Sequence, residues 1–292
     1  MKAVAKLAAA LTLALPLAAQ AHDVWVLPSS TVLSGVDSWI TVDAAVGNDK
    51  FYFNHAPLRL DGLDIIAPDG SAAQAENVSR GKIRSTFDLQ LKQNGTYRVA
   101  VVNDGVFARW KEDGKPKRYF GKPEGMAAAV PANAQELEVS QSLGRVETFV
   151  TAGKPGAIKP VGKGLELVAV SHPNDLYSDE PATFQMLLDG KPAAGLEMEI
   201  VPNGSRYRDK VEEIELKTDA DGKFQVKWPQ PGMYWVHTEA EDDKVSVPTA
   251  TKRRMSYALT LEVLPPRLSG EPVALAGASM GTTWSARLAL PP

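Results

Sequence analysis

Hydrophobic and polar residues alternate in short runs along most of the chain, and each run ends in turn chemistry. Between Val24 and Val102 the strand-like stretches are Trp39–Val42, Leu63–Ile66, Ser85–Leu89 and Tyr97–Val102; Pro68-Asp69-Gly70 and Gln93-Asn94-Gly95 separate them, and Leu33-Ser34-Gly35 precedes the first. Short strands at this spacing, broken by Gly, Pro and Asn, predict a β-sandwich of the immunoglobulin-like kind. A second series follows: Leu165–Val170, Ala182–Leu188, Leu196–Val201, Phe224–Trp228, Tyr234–Thr238 and Ala258–Val263. Its hairpins close at Asp189-Gly190-Lys191-Pro192 and Thr218–Phe224, because Asp-Gly accepts the positive φ of a tight turn.

Between the two series the pattern changes. Lys111–Lys117 is a charged turn, Gly125–Ala134 is small and flexible, and the stretch around Pro131–Leu143 has helical composition. Arg145–Val150 alternates again as a strand, and Ala152–Gly164 reads as a linker. The expected fold class is therefore all-β, with two β-sandwich domains at 22–160 and 165–264, the first carrying an irregular or short helical insert. A tail follows over 265–292.

The first residues change the picture by setting the compartment. Lys2 and Lys6 precede an apolar run over Leu7–Ala18, and Ala19-x-Ala21 places small residues at −3 and −1, the signature of a cleaved signal peptide over 1–21. The run is too short for a membrane span, which needs about 20 apolar residues, and no later stretch is apolar enough. The expectation is a periplasmic chain of about 271 residues beginning at His22. Loss of the two lysines takes the net charge from −3 to −5, and without a clustered basic face nothing favours nucleic acid. The chain has no cysteine, so it carries no disulfide, and a metal site would draw on His, carboxylate, Met or backbone atoms.

The candidate chemistry lies in four histidines. A mature His22 offers its α-amine and its own imidazole to one metal ion, and both titrate close enough to neutrality to be deprotonated at about pH 7. Such nitrogen-rich coordination suits Cu(II) or Ni(II). His55 follows three aromatics in Phe51-Tyr52-Phe53-Asn54-His55, and His172 sits in the turn Ser171-His172-Pro173-Asn174-Asp175. Period-two alternation puts His237 on one strand face with Trp235 and Glu239. Asp23 and Glu239 are placed to orient an imidazole through its other nitrogen. Gly277-Ala278-Ser279-Met280-Gly281 fits the G-x-S-x-G formula of a hydrolase elbow, but no helix pattern or later histidine follows it. Asp219-x-Asp221-Gly222 lacks the further acids of a calcium loop.

Several stretches resemble known families. The order Gly190-Lys191-Pro192, Thr218-Asp219-x-Asp221-Gly222-x-Phe224, Pro231-Gly232-x-Tyr234 is similar to transthyretin-like or carboxypeptidase-regulatory-like sandwiches, which implies that fold for 165–264. Ala21–Ser29, Phe51–His55, His172–Asp175 and Gly232–Val236 together resemble a bacterial periplasmic family of unassigned function, often described as the periplasmic component of cobalt or nickel transport and once labelled NikM-type. That resemblance implies an inner-membrane metal transporter as partner. A mature N-terminal histidine is also similar to the start of periplasmic copper-binding proteins and copper monooxygenases, and only His22 carries over from their histidine brace. Ser279–Leu288 looks like the opening strand of FAD:protein FMN transferases, without the catalytic remainder.

The leading expectation is a periplasmic protein that binds Ni, Co or Cu for uptake or handling, with His22 as anchor and His55, His172 and His237 as candidate ligands. A second is a module that recognises a protein or glycan through exposed Trp25, Trp110, Trp228 or Trp235. A third is a copper-dependent oxidative enzyme, which needs an open coordination position on an exposed face.

Overall fold

The computed structural model describes residues 23–267. His22 and the tail stretch Ser279–Leu288 lie outside the described residues. The expected all-β fold with two sandwich cores is what the structure has, built from three sheets. One outer sheet runs in the order Asp23–Pro28, Ser38–Gly47, Ser85–Leu91, Glu76–Arg80, with Ala56–Pro57 also paired to Ser38–Gly47. The other combines Leu165–Ala169, Ala182–Leu188, Lys191–Pro192 and Lys223–Val226.

A nine-stranded sheet lies between them and belongs to both cores. The long strands Gly95–Glu112 and Gln135–Ala152 pair antiparallel, and Gln135–Ala152 then pairs in parallel with Lys252–Val263 from the second series. Val146, Val150 and Ala152 enter the first core while Leu143 and Phe149 of the same strand enter the second. Alternation along one strand thus feeds two opposite faces, each covered by its own outer sheet. In return Val201, Trp235 and Ala258 from the second series pack in the first core.

Residues 153–164, the expected linker, contain no strand but are tied down. The buried carboxylate of Glu166 accepts the backbone N–H groups of Val161 and Gly162 at 2.6 and 2.7 Å, and Arg98 Nη1 donates to Lys159 O at 3.1 Å. Beneath this strap lies a charged cluster the sequence pattern does not announce. Glu147 is fully buried; its Oε2 lies 3.4 Å from Arg98 Nε and 3.3 Å from Arg145 Nη1, and Tyr257 donates its hydroxyl to Oε1 at 2.6 Å. Burial and the adjacent carboxylate hold the Tyr257 phenol well above its usual value, so it stays a donor.

One local expectation is corrected. The helix is at Pro123–Ala129, and Gln135–Ala152 is extended instead of continuing a helix over Pro131–Leu143. Pro123 fits a first helical turn because its φ is already fixed. The turn ends where Val130 takes extended φ/ψ of −98° and 114°, since the residue before Pro131 is pushed out of the helical region. No helix among the described residues is long and apolar enough to cross a membrane.

Candidate functional site

The most chemically loaded corner of the fold is where the first described strand begins. Asp23 is in register with Gly47, and Val46 is paired both to Val24 on one side and to Ala56 on the other. The backbones at 23 and 55 therefore flank the strand Ser38–Gly47 at the same end, about 10 Å apart at ordinary interstrand spacing. The loop 48–55 folds back over this end. Phe51 and Phe53 pack on Trp25 with ring centroids 6.1 and 6.4 Å away, and Asn54 Nδ2 donates to Asp49 Oδ2 at 3.1 Å.

Gly47 makes that close folding possible. A Cβ there would lie 2.6 Å from Trp25 Cη2 and 2.9 Å from both Asn54 Oδ1 and the Tyr52 carbonyl oxygen. Gly47→Ala is expected to cost about 1–3 kcal/mol and to displace the loop, read as a lower urea midpoint together with an altered near-UV circular dichroism spectrum. Unchanged values for both would show that the loop yields freely.

Strand Gly232–Asp242 brings the second half of the corner. As the alternation requires, Trp235, His237 and Glu239 share a face; Trp235 is buried, His237 half-buried and Glu239 exposed. The Trp235 indole N–H donates to the Val24 carbonyl at 2.9 Å, and its ring stacks on His237 with centroids 4.8 Å apart and planes 13° from parallel. Glu199 is directly opposite His237 on the neighbouring strand. Its Oε2 is 3.9 Å from His237 Nδ1, and Glu239 Oε1 is 3.7 Å from Nε2. Both gaps exceed a hydrogen bond, so carboxylates flank the imidazole without engaging either nitrogen.

Charge at this corner is mostly negative. Lys50 Nζ bonds Asp23 Oδ2 at 2.6 Å and lies 4.5 Å from the Trp235 ring centroid. Burial lowers the His237 pKa, opposed by Glu239 and Asp23 and reinforced by Lys50; the imidazole is neutral and able to donate a lone pair at neutral pH. Burial raises the Glu199 pKa against the pull of Lys50. Lys50 and Glu199 are the participants that sequence reasoning missed. Glu199 sits in a plain alternating strand, and only strand pairing puts it opposite His237.

The other two histidines differ. His55 is exposed on the loop at this same corner. His172 lies elsewhere, under the strap. Its Nδ1 accepts the Asn174 backbone N–H at 3.1 Å, so the proton is on Nε2, which is 3.1 Å from the Gly156 carbonyl and 3.0 Å from Thr96 Oγ1. Thr96, Thr151 and Asn174 continue the network to the Phe149 carbonyl. Both ring nitrogens of His172 serve the fold, and it shares no named neighbour with His237. Among the described residues no group of three or more His, Cys, Asp and Glu is placed to hold a metal.

His172 also carries a pH prediction. Burial depresses its pKa below the ordinary histidine value of about 6.5, so the unfolded chain takes up the proton first. The His172 contribution to stability is full above the unfolded pKa and falls as pH drops below about 6.5. His172→Gln is expected to flatten that acid limb in denaturant melts at pH 5 and pH 7.5; an acid limb unchanged by the substitution would assign it to other groups.

Comparison with known proteins places this corner in a family. Residues 19–242, a span that includes the N-terminal corner and the strand carrying His237, match the model of a family described as a domain of unknown function (DUF4198). The chain belongs to that family. No curated protein matches it. Among solved structures, the D0-D1 domain of intimin is 13% identical over 82% of this chain and 97% of its own, with a TM-score of 0.22. The human OSCAR ligand-binding domain is 13% identical over 83% and 99%, with a TM-score of 0.19. Trypsin activated alpha-2-macroglobulin from Escherichia coli is 13% identical over 82% and 16%, with a TM-score of 0.20. Superpositions this loose carry no argument about function.

Proposed function

We propose that the protein is a periplasmic transition-metal-binding protein for uptake or handling of copper, nickel or cobalt, its site built where the mature N-terminus meets His237. The observation that carries this reading is the Trp235 indole bond to the Val24 carbonyl. It fixes the chain two residues after His22 against the ring stacked on His237. A free amine and imidazole at His22 together with the His237 imidazole would supply nitrogen donors without sulfur, and Asp23 and Glu239, which form no preformed metal group with His237, would orient them through their other nitrogens. Such a set favours Cu(II) over Ni(II) and Ni(II) over Co(II). His55 approaches the same corner from the far side of Ser38–Gly47 and is the remaining candidate ligand.

The resemblance to a metal-transport component supports an inner-membrane transporter as the recipient of the ion. The tryptophans argue against a partner-binding module of the kind expected above: Trp25, Trp110, Trp228 and Trp235 are all 6% exposed or less. Titration of the secreted protein, with the leader removed, tests the proposal. Cu(II) is expected to bind at one equivalent and to quench tryptophan fluorescence through Trp235, with Ni(II) and Co(II) weaker in that order. Absence of one-to-one binding by all three ions would reject it.

A further inference from the structure

We infer that the slot between the strap 153–164 and the end of strand Leu63–Ile66 is a binding site for a small aliphatic carboxylate, with Arg98 as its anchor. None of its lining residues belongs to the corner around His237, so it stands or falls apart from the metal-binding reading. The slot has a volume of about 220 Å³. Ile66, Ala67 and Pro68 wall it from the strand end, and Ala157, Ile158 and Pro160 from the strap. Its charged lining is Arg98 and Lys159, with no carboxylate. Apolar walls with a few placed polar groups are the ordinary makeup of a small-molecule site.

The Arg98 side chain is 4% exposed, and its Nε and Nη2 donate no hydrogen bond. Glu147, 3.4 Å from Nε, does not balance it: Oε2 is shared with Arg145 and Oε1 accepts from Tyr257, so one carboxylate serves two guanidinium groups. The buried carboxylate of Glu166 has both oxygens taken by the Val161 and Gly162 N–H groups. Buried donors without a partner are rare, and a bound ion or ligand is among the few things that account for one. Here the donors belong to a residue lining an apolar slot, and a carboxylate on a short aliphatic body matches both.

The strap is weakly held at this point. Among the described residues, 157–160 make a single hydrogen bond, from Arg98 Nη1 to the Lys159 carbonyl at 3.1 Å, between the anchored N–H groups of Gly156 and Val161. A carboxylate that takes Nη1 and Nη2 as a fork replaces that bond and gives Nη2 a partner. The Phe149 ring, 5.4 Å from Arg98 Cζ, backs the guanidinium.

The test titrates the secreted protein, without added metal, with isovalerate and with its uncharged amide, isovaleramide, by isothermal calorimetry at pH 7. Isovalerate is expected to bind one-to-one, and isovaleramide at least about tenfold more weakly, because a neutral amide forgoes the charge-assisted fork. Arg98→Lys keeps the charge but loses the fork, and is expected to weaken isovalerate binding at least about tenfold. Since Arg98 also touches Glu147, a second variant separates binding from folding. Ala157 is exposed on the strap, and Ala157→Phe puts a ring in the slot away from the Glu147 pairs; it should weaken binding at least about tenfold with an unchanged melting temperature. No saturable binding of isovalerate, equal binding of isovaleramide, or an affinity that Ala157→Phe leaves unchanged would each overturn the site.

Discussion

Glu147→Ala is expected to lower stability by about 3–5 kcal/mol, because removing one partner of a buried ion pair leaves uncompensated charge in the interior. Among the described residues, Glu147 is the only carboxylate within 4 Å of the Arg98 and Arg145 guanidinium groups. Its loss also strands the Tyr257 hydroxyl. For a chain of this size the cost corresponds to a melting temperature lower by roughly 6–20 °C. Glu147→Gln keeps the shape and part of the hydrogen bonding, so it should fall between wild type and alanine. A melting temperature for Glu147→Ala within about 2 °C of wild type would mean that water or rearrangement satisfies both arginines.

The second large effect is on the proposed metal site. His237→Ala is expected to weaken Cu(II) binding by at least about 100-fold, equivalent to about 2.7 kcal/mol, while the protein remains folded. His237 is half-buried on a strand whose neighbours are held by Trp235 and by pairing to Lys252–Val263, so the substitution removes the proposed ligand and a stacked ring without opening the core. His172→Gln should leave the affinity within about threefold, since His172 serves the strap network. Equal losses from the two substitutions would show that the fold, rather than a local site, governs binding.

What was legible in the chain was what local chemistry decides. Alternating runs and Asp-Gly turns give the all-β class, and period two alone places Trp235, His237 and Glu239 on one face. Pairing between distant strands was not legible. The parallel register of Gln135–Ala152 with Lys252–Val263 makes one sheet serve two cores, and it turns Arg145 and Glu147, apparently solvent-facing positions of an alternating strand, into buried charges. Glu199 reaches His237, and Lys50 reaches Asp23 and Trp235, by the same kind of long-range contact. The displaced helix had a local signal in Pro123 and in the Val130-Pro131 step, which outweigh the composition of the stretch that follows.

The central claim is that the site depends on a free N-terminal histidine. The most direct measurement is Cu(II) affinity of the secreted protein beginning at His22, its start confirmed by intact mass, against the same protein carrying one extra residue before His22. The account predicts a loss of at least about 100-fold when the amine is moved away from the His22 imidazole. Equal affinity in the two forms would contradict it and place the metal on side chains alone.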